Sequence, residues 1–138
     1  MGHYKLLLDP AKYLNEADFP KERAVIISRI VREPLPEREG EDKKSAPMLY
    51  IKNTAGGEYS RPMKVPKIIM HGLNLLFGPE TDAWIGKDIT IYATTCMAFG
   101  TVEPCLRVRF PAEIDGKIRA WMKKRKVNPK AYVIEERT

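Results

Sequence analysis

The sequence is poor in the residues that build metal and catalytic centres. Its 138 residues include only two cysteines, Cys96 and Cys105, and two histidines, His3 and His71. Their spacing matches no zinc-binding pattern, and no Cys-x-x-Cys pair occurs. The Gly-x-Ser-x-Gly, phosphate-binding-loop and His-Glu-x-x-His signatures are also missing. These absences predict a protein that is not an enzyme and that uses no metal or cofactor.

Long hydrophobic runs are missing as well. No apolar segment approaches the ~20 residues that a transmembrane helix requires, and the stretch Tyr4 to Leu8 is too short for a signal peptide. A chain of 138 residues with 43% hydrophobic residues is long enough to bury one core without disulfides or metal. We therefore expect a single-core cytoplasmic protein with no membrane partner.

Positive charge is concentrated near the C-terminus. The net charge is +6, yet outside residues 117–130 the 17 basic residues are balanced by 18 acidic ones. Such a basic segment indicates either a polyanionic partner, such as a nucleic acid, or merely a solvated tail. Its seven cations, with no acidic residue among them, are Lys117, Arg119, Lys123, Lys124, Arg125, Lys126 and Lys130.

Apolar periodicity predicts five strands, at residues 24–32, 48–52, 61–65, 89–98 and 103–110. A helix over 66–77 is expected between the third and fourth strands, with Pro66 at its start and Gly78 as its C-terminal cap. Leu73 lies in the middle of its apolar face and should be buried against Leu49, Ile51 or Ile91.

Three further segments have distinct compositions. Residues 13–18 suggest a short turn of helix ended by Pro20, and residues 34–47, with three prolines, suggest an exposed loop. After residue 112, one apolar stripe on an otherwise basic segment predicts an amphipathic helix. The stripe consists of Ile114, Ile118, Trp121 and Met122.

The last two strands are expected to form a hairpin that turns at Phe99 to Val102. A symmetric register places Tyr92 opposite Arg109, with Arg107 opposite Thr94 on the same outward face. It also places Cys96 opposite Cys105, so a disulfide is geometrically conceivable, although a cytoplasmic setting favours free thiols.

The order strand, strand, strand, helix, strand, strand is that of the OB fold, a five-stranded Greek-key barrel. The sequence thus predicts a mainly β, OB-fold-like barrel with one internal helix and a C-terminal basic helix. We divide the chain into an N-terminal lead (1–22), the barrel (23–111) and a basic amphipathic segment (112–138). Trp84 is expected to cap the end of the barrel beside the internal helix, with direct stacking on a base as the less favoured alternative.

Between about residues 13 and 110 the chain resembles a family of small phage-encoded proteins found beside replication and recombination genes. The resemblance implies an OB-like fold and a role in phage DNA metabolism inside an infected bacterial cell, such as single-stranded-DNA binding. One departure is Lys64-Val65-Pro66-Lys67, where the family often has Asn-Lys-Thr-Asn, so contacts of that run are not carried over. The matching residues are Tyr13-Leu14, Ala17-Asp18, Pro47-Met48-Leu49-Tyr50, the distinctive block Thr81-Asp82-Ala83-Trp84-Ile85-Gly86-Lys87, Phe99-Gly100 and Leu106-Arg107-Val108-Arg109.

Aromatic rings interleaved with cations are what a single strand needs, because bases stack on rings and phosphates pair with charge. Such side chains are also common on any solvated surface. The alternative is a protein-interaction module that docks onto a phage or host enzyme, such as a replication or recombination protein, through its basic helix and Trp121. The expected nucleic-acid-binding residues are Tyr50, Lys52, Lys64, Tyr92, Arg107 and Arg109 on the barrel, Lys87 at its rim, and Lys123, Lys124, Arg125 and Lys126 in the tail.

Overall fold

The computed structural model describes residues 12–34 and 45–134. Most of the predicted loop at 34–47 lies outside these ranges. The strands are β1 (Arg23–Pro34), β2 (Ser45–Asn53), β3 (Met63–Lys64), β4 (Asp88–Ala98) and β5 (Thr101–Val108). The α-helices are α1 (Lys67–Phe77) and α2 (Ala112–Lys124), and single 3-10 turns occur at Glu16–Asp18, Thr81–Trp84 and Pro129–Ala131.

The five strands form one antiparallel sheet in the order β3-β2-β1-β4-β5. The prediction of a mainly β fold with an internal helix is confirmed. Closure into a barrel would require β3 to pair with β5, and within the described residues these two strands are the edges of an open sheet. Their prolines limit such pairing, because Pro62 and Pro66 flank the two-residue β3 and Pro104 lies within β5, and proline has no N–H to donate.

The N-terminal segment packs beside β3. The backbone N–H of Leu14 donates to the Pro62 carbonyl at 2.9 Å, and the Arg61 guanidinium bonds the Asp18 carboxylate at 2.5 Å. Leu14 and Phe19 are buried in the same hydrophobic core as the strands. The segment is thereby held between the two edges of the sheet, because its 3-10 turn also contacts β5.

Helix α1 begins after Pro66 and ends at Gly78, as predicted. Leu73 is fully buried in the core that also contains Leu49, Ile51 and Ile91, so the predicted burial of its side chain is confirmed. The amphipathic stripe predicted after residue 112 is also confirmed, since Ile118 and Met122 of α2 are buried in that core and Ile114 and Trp121 pack against it.

The β4–β5 hairpin has a tighter turn than predicted. Ala98 pairs with Thr101 around a two-residue turn, and Tyr92 lies opposite Arg107 instead of Arg109. The predicted register was wrong by two residues, because Phe99 and Gly100 both adopt positive φ, as a two-residue type I′ turn requires. A shift of two leaves every side chain on its predicted face of the sheet. Cys96 now lies opposite Glu103, and both cysteines are free thiols.

Two helical glycines give a matched test of the α1–α2 contact. A Cβ added at Gly72 would lie 2.4 Å from the Phe110 ring and 2.8 Å from Ile118 Cδ1, whereas a Cβ at Gly116 would meet nothing within 4 Å. We predict that Gly72→Ala lowers the free energy of unfolding by about 1–3 kcal/mol through overpacking. Gly116→Ala should raise it by about 0.5–1 kcal/mol, because alanine favours helix. Urea unfolding measures both, and equal stabilisation by the two changes would refute this packing.

Candidate nucleic-acid interface

A cleft of about 680 Å³ opens between the β4–β5 pair, the start of α2 and the C-terminal residues 132–134. Its volume lies within the range of about 300–1,000 Å³ that is typical of ligand sites. We call it the Tyr92 cleft. The lining side chains that matter for chemistry are Tyr92, Arg109, Asp115, Arg119 and Tyr132.

Arginine lies over tyrosine on both sides of this cleft. The guanidinium carbon of Arg109 is 3.9 Å from the centre of the Tyr92 ring, and that of Arg119 is 5.3 Å from the Tyr132 ring. The Arg109 side chain is 54% exposed and bonds the equally exposed Glu22 at 3.2 Å. Exposed ion pairs contribute about 0–1 kcal/mol, so an incoming phosphate could replace the Glu22 carboxylate at little cost.

The floor of the cleft is held by hydrogen bonds centred on Asp115. Its carboxylate accepts from the Tyr132 hydroxyl at 2.8 Å and from Arg119 Nε at 2.8 Å. Burial, followed by the bond to Asp115, raises the pKa of Tyr132, and burial raises the pKa of Tyr92. Both phenols stay neutral at physiological pH, so the charged groups at the cleft are Arg109, paired with Glu22, and Arg119, paired with Asp115.

Arg107 is placed differently from its prediction. Strand alternation put it on the outer face of the sheet, exposed to a ligand, but the residue is only 5% exposed. Its Nε donates to the Tyr132 carbonyl at 2.6 Å and its Nη2 to the Ala131 carbonyl at 3.1 Å. The expectation of an accessible Arg107 was wrong, because the chain after α2 returns across this face and covers the side chain.

The basic tail residues fall on two sides of α2. Lys123 and Lys126 line a second groove of about 480 Å³, which we call the Lys123 groove. Arg119 lines both this groove and the Tyr92 cleft, so the two depressions adjoin. Lys124 is exposed and lines neither of them.

Arg125, Trp121 and His71 form a stack between α2 and α1. Its guanidinium carbon lies 5.0 Å from the Trp121 ring, and that ring stacks on His71 of α1 at 4.2 Å. Burial, aided by the charge of Arg125, lowers the pKa of His71. Trp121 is therefore already engaged within the protein, on a side of α2 away from the Tyr92 cleft.

The remaining predicted residues lie apart from the cleft. Tyr50, on the outer face of β2, has the Arg29 guanidinium carbon 4.0 Å from its ring centre. Its hydroxyl donates to the Glu33 carboxylate, and this bond raises the pKa of Tyr50. Three predicted lysines also lie outside the cleft. Lys52 is half-buried on the outer face of β2, and Lys64 and Lys87 are exposed.

Sequence reasoning missed three members of the cleft. Asp115 and Arg119 stand four residues apart on α2, a spacing that favours an ion pair on one helix face and could have indicated them. Tyr132 follows Pro129 in a short 3-10 turn and offers no periodic signal. Trp84, in contrast, is buried beside α1 as expected, with its Nε1 donating to the Gly78 carbonyl at 2.8 Å.

No protein-family model, curated protein or solved structure matches this chain, so the resemblance to a phage family stays a prediction. In the ranges that the structure describes, no helix is long and apolar enough to cross a membrane. Within the same ranges, no three histidine, cysteine or acidic side chains are grouped so that they could hold a metal ion.

The thiols provide a prediction about reactivity. Burial, followed by a hydrogen bond with Cys96, raises the pKa of Cys105 to about 12. Because the thiolate is the reactive form, we expect the Cys105 thiol of the folded protein to react slowly with a thiol-specific dye near neutral pH, and the buried Cys96 thiol to be inaccessible to the dye. Both should react in urea. The raised pKa of Cys105 also makes the free energy of unfolding depend on pH. It should fall as the pH rises from about 8.5, the pKa of a thiol in the unfolded chain, through the pKa of Cys105 in the folded protein. Rapid labelling of Cys105 in the folded protein would contradict this environment.

Proposed function

We propose that this protein binds single-stranded nucleic acid, with single-stranded DNA as the first ligand to test, through the Tyr92 cleft. The proposal assigns no catalytic activity to the protein. It assigns a role as an accessory protein of phage replication or recombination. The observation that carries it is the exposed Arg109 guanidinium over Tyr92 at the wall of an open cleft.

The fold is part of the same proposal. An order of β3-β2-β1-β4-β5, with α1 between β3 and β4, is what a five-stranded Greek-key barrel opened between β3 and β5 would present. OB folds of this kind commonly bind oligonucleotides. The N-terminal segment lies between the two edge strands, β3 and β5, which would pair with each other in a closed OB barrel. We therefore propose the OB fold for this chain.

The chemistry of the cleft suits unpaired bases. Unstacked bases bind by stacking on aromatic rings or on arginine planes, while phosphates pair with cations. Arg109 over Tyr92 supplies such a surface, and displacement of Glu22 would leave its charge for a phosphate. A concave site of about 680 Å³ accepts splayed bases more readily than a base-paired duplex, which favours a single strand.

The backbone of the ligand has a route beyond the cleft. Arg119 is common to the Tyr92 cleft and the Lys123 groove, and the groove continues past Lys123 on α2 to Lys126 just after the end of the helix. Cations spaced along one path are what a phosphate backbone requires, and they supply most of non-specific affinity. We therefore propose that the strand leaves the cleft along this groove.

One observation favours the alternative, docking onto a phage or host protein through α2. The Lys123 groove is bounded by the apolar side chains of Met122, Val127 and Pro129 as well as by lysines. An acidic protein segment with an apolar anchor would fit such a groove. Trp121 does not add to this alternative, since His71 and Arg125 already cover its ring.

Two arginines give a matched test of the cleft. Arg109→Ala should weaken binding of a fluorescent oligothymidylate of about 15 nucleotides by about one decade or more, because this side chain supplies both a stacking surface and a partner for phosphate. Arg29→Ala also removes a cation from a tyrosine ring, but outside the cleft, and should change affinity little. Anisotropy titrations with single-stranded DNA, duplex DNA and RNA measure both. A larger loss of affinity with Arg29→Ala than with Arg109→Ala would contradict a site in the cleft and would indicate one on the outer face of β1 and β2.

Two pairs of lysines on α2 and its C-terminal end test the backbone route. Replacing Lys123 and Lys126 with alanine should reduce the slope of log affinity against log salt by about 0.7 for each phosphate that the variant no longer binds. Replacing Lys117 and Lys124, which line neither depression, removes the same charge and should leave the slope nearly unchanged. If both double variants flatten the slope equally, the basic segment acts only through its overall charge.

A further inference from the structure

The tip of the β4–β5 hairpin carries an aromatic side chain that the fold does not use. Phe99 is 104% exposed, so its ring packs against none of the residues in the described ranges 12–34 and 45–134. Its φ is +51° and that of Gly100 is +80°. Two-residue turns of this kind favour Asn-Gly, and a left-handed backbone is unfavourable for a bulky residue. Neither turn chemistry nor packing therefore accounts for a phenylalanine at this position.

The hairpin tip also projects beyond the elements that cover its base. The C-terminal segment contacts β4 through the turn at Pro129–Ala131 and through the backbone N–H of Ile134, its last described residue, which donates to the Thr95 carbonyl at 3.0 Å. Beyond Thr95, the described residues of β4 and β5 pair only with each other. The exposed Val102 stands near Phe99 on this two-stranded ribbon.

We propose that Phe99 stacks on an unpaired base at the opposite end of the strand from the Lys123 groove, where the strand continues out of the Tyr92 cleft past Thr94. This inference rests on the proposed function. Phe99 follows the end of β4 and lies seven residues beyond Tyr92, which corresponds to about 23 Å at about 3.3 Å per residue. Single-strand sites of about 4–16 nucleotides per OB fold cover such a distance.

The surroundings of Phe99 favour a base over a protein or a lipid surface. A protein interface needs several hundred Å² of contiguous surface, and at this tip the exposed large apolar side chains are Phe99 and Val102. An anionic membrane needs cations beside the apolar anchor, yet the only charged residue between Cys96 and Pro104 is Glu103. A base requires only one open face of a ring, which Phe99 offers, while the cations that hold the phosphates of the same strand lie in the Tyr92 cleft and the Lys123 groove.

The substitution Phe99→Asn tests this role without harming the fold, because it creates the Asn-Gly pair that the turn prefers. We expect its melting temperature to equal or exceed that of the parent. Its affinity for an oligothymidylate of about 20 nucleotides should fall about tenfold, the effect of losing one stacked base. Phe99→Trp, which keeps an aromatic ring, should bind like the parent.

A dinucleotide separates this inference from the proposed function. It spans about 7 Å when stacked, at about 3.4 Å per nucleotide, and stays well short of the roughly 23 Å to Phe99 even when its bases are splayed, so it can occupy the cleft without reaching Phe99. We expect Phe99→Asn to bind it as the parent does, whereas Arg109→Ala should weaken both oligonucleotides. If Arg109→Ala weakens both and Phe99→Asn binds the longer one normally, the role of Phe99 is refuted and the proposed function stands. If the parent binds neither, both fall. Binding of phosphatidylserine vesicles that depends on Phe99 would also overturn the assignment to a base.

Discussion

The candidate site depends on the buried guanidinium of Arg107. This charge lies on the outer face of β5, and it is stable there because backbone carbonyls of Leu106, Ala131 and Tyr132 accept its hydrogen bonds. These bonds hold residues 131 and 132 against the sheet. Together with the bond from the Ile134 N–H to the Thr95 carbonyl, they form the C-terminal wall of the Tyr92 cleft.

Tyr132 connects the segment held by Arg107 to helix α2. The Tyr132 hydroxyl bonds Asp115, and Asp115 in turn bonds Arg119, so the cleft floor and the first turns of α2 are fixed relative to each other. Ile118, Met122 and Tyr132 belong to the main core. The basic segment is therefore packed into the fold, with Lys117, Lys123 and Lys124 on α2 and Lys126 and Lys130 in the segment that follows it. Cations held along one path lose less conformational freedom on meeting a phosphate backbone than those of a solvated tail.

Sequence patterns predicted the elements whose signals are local. Pro66 and Gly78 delimited α1, and the inward or outward direction of Tyr92 survived a register error because the error was two residues. Arg107 could not be placed in this way. Alternation reports on which side of a strand a residue lies, but not on what later packs against that side. The covering segment follows Pro129, is too short to be periodic, and is positioned by Arg107 itself.

The most direct test of single-strand binding in the Tyr92 cleft is a titration of the ¹⁵N-labelled protein with an oligothymidylate of about 15 nucleotides, a length within the range of single-strand sites, followed by amide chemical shifts. We expect the largest changes to cluster at Tyr92, Thr94, Arg109 and residues 115–119, and to weaken in Arg109→Ala. Changes centred instead on Tyr50 and the outer face of β1 and β2, or no change at all at saturating oligonucleotide, would contradict this assignment.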